Sequence, residues 1–108
     1  MDPVEINAGQ WYLRALRADS RIDDRPALAD LGVTDPEHVA RSAEQWSADT
    51  SYSWAVCEVT TGELLAEITL DPQTGAIATR VRAGQAQAAT AAAESVRRFA
   101  AAASNGSS

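Results

Sequence analysis

Three segments of alternating side chains, separated by two short glycine-containing turns, constrain the fold of this chain most. The segments cover residues 52–57, 64–70 and 77–82, and the turns contain Gly62 and Gly75. A period of two is typical of β-strands, and connections this short join antiparallel neighbours. The pattern therefore predicts an antiparallel meander of three strands.

A helical pattern follows the meander from Gln85 to about Ala103. Of the 21 residues from Ala83 to Ala103, 11 are alanine, which is the best helix former. A helical period places five residues on its predicted inner face: Ala89, Ala92, Val96, Phe99 and Ala103. Because these side chains are mostly small, we expect this helix to lie close against the sheet.

The first half of the chain predicts one strand and two helices. Residues 11–16 are rich in strand formers, and residues 22–32 contain a helix start at Asp24-Arg25-Pro26 and a stop at Gly32. The second helix opens with Thr34-Asp35-Pro36-Glu37, where either Thr34 or Asp35 suits the cap, and it buries Val39, Ala43 and Trp46. It ends by residues 49–51.

These elements predict an α+β fold in the order β-α-α-β-β-β-α. Its sheet has four strands, is mainly antiparallel and is packed by the helices. At 108 residues the chain is long enough for one domain with one core. We expect residues 1–10 to be a loose arm and residues 104–108 to be a disordered tail.

Charge and composition exclude several classes of function. The formal net charge is −6, which argues against non-specific binding to nucleic acid or to anionic membranes. No segment approaches the roughly 18 apolar residues that a membrane helix needs. The N-terminus lacks the features of a signal peptide, so we infer a cytoplasmic protein. With one cysteine, Cys57, and one histidine, His38, we expect neither an intramolecular disulfide nor a metal site.

Several side chains are candidates for chemistry, and for most a structural role is favoured. We predict that Cys57 is a buried strand residue rather than a nucleophile, and that His38 has a surface or capping role rather than that of a general base. Glu67 points away from the Leu64 and Ile68 face, and we consider it as an acid in a cleft without favouring that role. Arg80 and Arg82 would either meet a phosphate or protect an exposed edge strand, and we favour the second. We assign no catalytic residue.

The order of elements and several phrases resemble the N-terminal half of the GNAT superfamily of N-acetyltransferases. The similar phrases are WYLRALRAD at residues 11–19, YSWAVCE at 52–58, TGELLAEI at 61–68, AAT at 88–90 and VRRFA at 96–100. Together they span roughly residues 6–100. The resemblance implies an acetyl-CoA-dependent fold in which the last helix follows the coenzyme loop.

The resemblance places the coenzyme loop at Arg82, Gly84, Gln87 and Ala89. In the family, backbone N–H groups of this loop bind the pyrophosphate. Here Gly84 stands at the family's Arg or Gln position and Gln87 stands at the central glycine, so only Ala89 fits. Arg82 supplies charge but does not replace the loop. We therefore expect no bound cofactor, with acetyl-CoA as the candidate if one binds.

The resemblance also stops at the last helix, after which the family continues with further strands that supply the catalytic acid. We therefore expect a GNAT-like protein without independent catalysis. One alternative is an acetyl-CoA-dependent N-acetyltransferase completed by a second copy or a partner chain along the unpaired edge of the fourth strand. Another is a protein–protein interaction module that uses this exposed sheet edge.

Overall fold

Eight elements follow one another in the computed structural model, which describes residues 1–106 and the side chains of residues 1–103. They are β1 (Ile6–Ala8), β2 (Trp11–Arg14), α1 (Arg25–Asp30), α2 (His38–Ala48), β3 (Tyr52–Glu58), β4 (Leu64–Leu70), β5 (Ile77–Val81) and α3 (Ala86–Gly106). The fold is α+β, as predicted. Within the described residues, no helix is both long and apolar enough to cross a bilayer.

The sheet has five antiparallel strands in the order β1-β2-β3-β4-β5, so the prediction of four strands was wrong. The additional strand, β1, lies within the segment that we predicted as a loose arm. It pairs Ile6 with Leu13 and Ala8 with Trp11. Gly9 has a φ of +69°, which the tight turn between β1 and β2 requires and which glycine adopts without strain. Three residues are too few for a period of two to be detected.

The predicted meander is confirmed. Trp54 of β3 lies opposite Ile68 of β4, which in turn lies opposite Thr79 of β5. The register of β3 against β4 shifts between Val56 and Cys57, where Leu65 has no partner residue on β3. As expected from the sequence, the last strand of the meander is at the edge of the sheet.

One face of the sheet packs against α3. The core on this side contains Leu13, Trp54, Val56, Ile68 and Leu70 from the sheet, and Ala88, Ala92 and Val96 from α3. The predicted inner face of the helix was partly wrong, because Ala88 rather than Ala89 is fully buried and Ala103 is exposed. Alanine occupies so many positions of α3 that hydrophobic periodicity does not define its inner face.

The other face of the sheet packs against α1 and α2. Leu16, Leu28, Ala55, Cys57 and Leu64 form a second buried cluster, with Val39 of α2 beside it. Cys57 is fully buried, as predicted, and burial raises the pKa of its thiol. Trp46 at the end of α2 reaches the first core, where its ring stacks on Tyr52 with centroids 4.5 Å apart. Ala43, which we predicted to be buried, is exposed.

Two helix ends differ from the predictions. The α2 helix begins at His38 rather than at Thr34 or Asp35, because Asp35 Oδ1 accepts a hydrogen bond from the Glu37 N–H in a turn that precedes the helix. The α3 helix continues through residues 104–106, which we predicted as part of the disordered tail. The remainder of that predicted tail, residues 107–108, lies outside the described residues.

Candidate functional site

The junction between β5 and α3 is a tight turn that leads directly into the helix. The Gln85 N–H donates to the Arg82 carbonyl over 3.1 Å, and Gly84 has a φ of +81° within this turn. This positive φ suits glycine and explains why Gly84 is here. The N–H groups of Ala88 and Ala89 both donate to the Gln85 carbonyl. The turn is therefore held together largely by its own backbone.

Arg82 is the candidate cation of this junction, but its guanidinium is already bonded to other parts of the protein. Its Nε donates to the Leu64 carbonyl over 2.9 Å, and its Nη1 lies 3.3 Å from Asp30 Oδ2. The guanidinium therefore connects β5 to β4 and to α1. A phosphate at the start of α3 would have to compete with both contacts for this side chain.

A cleft of about 570 Å³ lies beside the start of α3. Of the four predicted loop residues, only Gln87 lines it, and Arg82, Gly84 and Ala89 do not. Glu58 at the end of β3 also lines the cleft. Because a negative charge repels a pyrophosphate, this cleft has an unfavourable electrostatic environment for a coenzyme phosphate.

A cluster of ionisable side chains lies on the α1 and α2 face of the sheet. His38 Nε2 and Glu67 Oε2 are 2.6 Å apart, and Arg80 Nη1 lies 3.5 Å from Glu67 Oε1. Glu67 and Arg80 face each other across β4 and β5, and His38 is the first residue of α2. The cluster therefore connects α2 to β4 and, through Glu67, to the edge strand β5.

Glu67 is nearly buried, with 3% of its side chain exposed. Its Oε2 is bonded to His38, but its Oε1 receives no hydrogen bond from any described residue. The cluster borders a cleft of about 350 Å³ that is also lined by Gln45, Ser51, Thr69, Ala78 and Thr79. Our prediction that His38 has a surface or capping role missed this contact, because 29 residues separate the two side chains in sequence.

The outer edge of β5 is a row of unpaired backbone groups. Asp71 N–H donates to the Ala76 carbonyl and Arg82 N–H donates to the Leu65 carbonyl, so even-numbered residues of β5 bond to β4. In an antiparallel ladder the intervening residues point their N–H and C=O groups the other way. The backbones of Ile77, Thr79 and Val81 therefore face outward from the sheet.

Arg80 of this strand and Arg82 directly after it leave that edge accessible, in contrast to the prediction that they protect it. Arg82 is directed to Leu64 and Asp30, and Arg80 is directed to Glu67, so both contact groups toward the interior of the sheet. Ala78, Thr79 and Val81 are exposed. Because small or short side chains flank the outward backbone groups, another strand has room to pair there.

No group of three or more His, Cys, Asp or Glu side chains is arranged to hold a metal ion among the residues that the structure describes. No protein-family model, no curated protein and no solved structure matches this chain.

Proposed function

We propose that this chain is a GNAT-like interaction module without independent catalysis, and that its working surface is the outer edge of β5. The observation that carries the proposal is the set of outward backbone groups at Ile77, Thr79 and Val81. Pairing with a strand of another polypeptide would satisfy these groups. This mode of recognition gains affinity from main-chain hydrogen bonds.

The absence of coenzyme binding forms part of the proposal. Gln87 stands where the family has its central glycine, and its side chain lines the cleft beside α3 together with Glu58. A Cβ at this position restricts the backbone and crowds a phosphate. Arg82 is already bonded to Leu64 and Asp30. Together these features oppose the binding of acetyl-CoA.

A second candidate is an acetyl-CoA-dependent N-acetyltransferase completed at the β5 edge by a second copy or another chain. The contact of His38 with Glu67 favours it, because a histidine oriented by a buried carboxylate is a common arrangement for a general base. The cleft that contains this pair also includes Ala78 and Thr79 of the edge strand. Both candidates include a cytoplasmic location.

Isothermal titration of the purified protein with acetyl-CoA separates the two candidates. The interaction module predicts no heat of binding at concentrations that detect micromolar affinity. Micromolar binding would overturn the first candidate and support the second. The double variant Glu58→Gln with Gln87→Gly sharpens the experiment, because weak binding gained by this variant alone would identify these two side chains as the obstacle.

Acetyl transfer from acetyl-CoA to a panel of primary amines provides the complementary measurement. The second candidate predicts turnover that is lost in His38→Gln, and the first predicts no turnover in either protein. Sedimentation velocity on the same samples gives the oligomeric state with and without acetyl-CoA. A dimer formed only with acetyl-CoA would favour the enzyme.

A further inference from the structure

We infer that the partner of the β5 edge is an extended segment of another protein in which acidic and apolar side chains alternate. This inference rests on the proposed function and adds the chemistry of the partner. It depends on the charge of the edge, on the faces to which its side chains belong, and on the space beside Ala78.

The edge strand carries no acidic residue, although the protein is acidic. The chain carries a net charge of −6, yet between Asp71 and Glu94 the only charged residues are Arg80 and Arg82. Arg82 is bonded to Leu64 and paired with Asp30, so an acidic strand that approaches β5 meets the charge of Arg80. Opposite charges across neighbouring strands stabilise their pairing, whereas like charges destabilise it.

The α1 and α2 face of the edge is suited to a carboxylate. On this face β5 presents Ala78 and Arg80, which lie opposite Thr69 and Glu67 of β4. Arg80 is 53% exposed, and its ionic contact with Glu67 is long, at 3.5 Å. Most of its N–H donors therefore remain available, and the small side chain of Ala78 leaves room for an acidic side chain beside them.

The α3 face of the edge is suited to apolar side chains. Ile77 is half-buried against the core, and Val81 is 39% exposed. Side chains of an added strand that lie on this face would cover both residues. Since side chains alternate between the two faces of a strand, a segment that satisfies both faces alternates acidic with apolar residues.

A second copy of this chain fits the edge less well. Antiparallel self-pairing centred on Thr79 would align all the outward backbone groups of the two strands. It would also place the two Arg80 side chains at diagonal positions on one face, about 7–8 Å apart. This like-charge contact opposes self-association.

Fluorescence anisotropy with two labelled peptides tests the inference. One seven-residue peptide alternates Val and Glu, and the other alternates Val and Lys. We expect the Val/Glu peptide to bind with an affinity that falls as salt is added. The affinity of the Val/Lys peptide should be lower by at least about fivefold. Equal binding of both peptides would overturn the acidic partner while leaving the edge as an interaction surface.

Two variants and one control locate the binding. Arg80→Glu should weaken the binding of the Val/Glu peptide about fivefold or more and should strengthen the binding of the Val/Lys peptide. Arg21→Glu makes the same charge change in the exposed loop between β2 and α1, and it should leave the preference unchanged. Thr79→Pro removes an outward N–H that is not bonded to β4, so it should abolish the binding of both peptides while the circular dichroism spectrum stays native.

Three results would count against the inference in distinguishable ways. If neither peptide binds, the proposed edge function itself is wrong. If Arg21→Glu changes the peptide affinities as much as Arg80→Glu does, the effect comes from net charge. The inference that the β5 edge binds an acidic segment is then wrong. If sedimentation shows a dimer that Thr79→Pro dissociates, a second copy occupies the edge and the inferred partner is wrong.

Discussion

The guanidinium of Arg14 and the carboxylate of Asp24 form a bidentate ion pair that is buried between β2 and the start of α1. Arg14 Nη1 and Nη2 donate to Asp24 Oδ2 and Oδ1 over 2.8 and 2.9 Å, and the Arg17 N–H also donates to Oδ2. The side chains are 7% and 4% exposed. The hydrogen bonds to Asp24 raise the pKa of Arg14, so the buried guanidinium remains charged.

Removing one partner of this pair should destabilise the protein strongly. Asp24→Ala leaves the charge of Arg14 buried without compensation, and breaking a buried pair in this way costs about 3–5 kcal/mol. Urea denaturation followed by circular dichroism measures the loss. Asp23→Ala is the matched control, because Asp23 forms an exposed pair with Arg25 and should change stability little. Equal losses for the two variants would contradict the role of the buried pair.

Asp19 should contribute to the loss of stability in acid. A hydrogen bond from the Arg17 side chain, followed by those from the Ile22 and Arg21 N–H groups, lowers the pKa of Asp19 from 3.8 to about 2. A carboxyl group whose pKa is lower in the folded protein stabilises it above the unfolded pKa, and this contribution disappears as the pH falls to the folded value. The contribution should therefore be lost between about pH 4 and pH 2.

The variant Asp19→Asn provides the measurement. Thermal unfolding at a series of pH values should show that the Tm of this variant falls less steeply than the Tm of the wild type as the pH is lowered over that range. Above about pH 5 the wild type should be the more stable of the two. Parallel declines in acid would exclude Asp19 as a source of the pH dependence.

Cys57 should be unreactive in the folded protein. It is fully buried in β3, and burial raises the pKa of its thiol, although Arg14 opposes part of this effect. A thiol reacts as its thiolate, so a raised pKa and a lack of access both slow modification. Ellman's reagent at about pH 8 should therefore react only as fast as the protein unfolds. Rapid labelling of a natively folded sample would contradict the burial of this side chain.

The contact between His38 and Glu67 should be worth measurable stability. His38→Ala leaves Glu67 Oε2 without its hydrogen bond in a nearly buried position, which costs about 1–3 kcal/mol. A double-mutant cycle with Glu67→Ala, which removes the acceptor, separates the pairwise coupling from the loss of packing. Gln45→Ala, a change beside the same cleft, is the control. Additive effects of His38→Ala and Glu67→Ala would show that the pair contributes little.

The sequence predicted the meander well because its signals are local. Trp54, Ile68 and Thr79 lie on strands whose alternation and glycine turns occur within short windows, and the register follows from the turns. The edge position of β5 follows from the same order. By contrast, β1 contains only three residues, from Ile6 to Ala8, and its pairing depends on the turn at Gly9.

The candidate site was harder to predict because it depends on contacts between distant segments. Alternation along β4 placed Glu67 away from Leu64 and Ile68, but it does not show that α2 brings His38 over that carboxylate. The contacts of Arg82 with Leu64 and Asp30 likewise depend on how α1 lies on the sheet. Local patterns define strands and turns, whereas these contacts require the packing of helices on the completed sheet.

The connectivity of the sheet also has a consequence for the order in which the protein folds. The β3, β4 and β5 strands are joined by short turns, whereas β2 must close a loop of 37 residues, numbers 15–51, before it pairs with β3. Closing the longer loop has the greater entropic cost, so we expect the meander to form early and the β1–β2 hairpin to join it late. The same hairpin should be the part of the sheet that detaches first when native-state hydrogen exchange is measured.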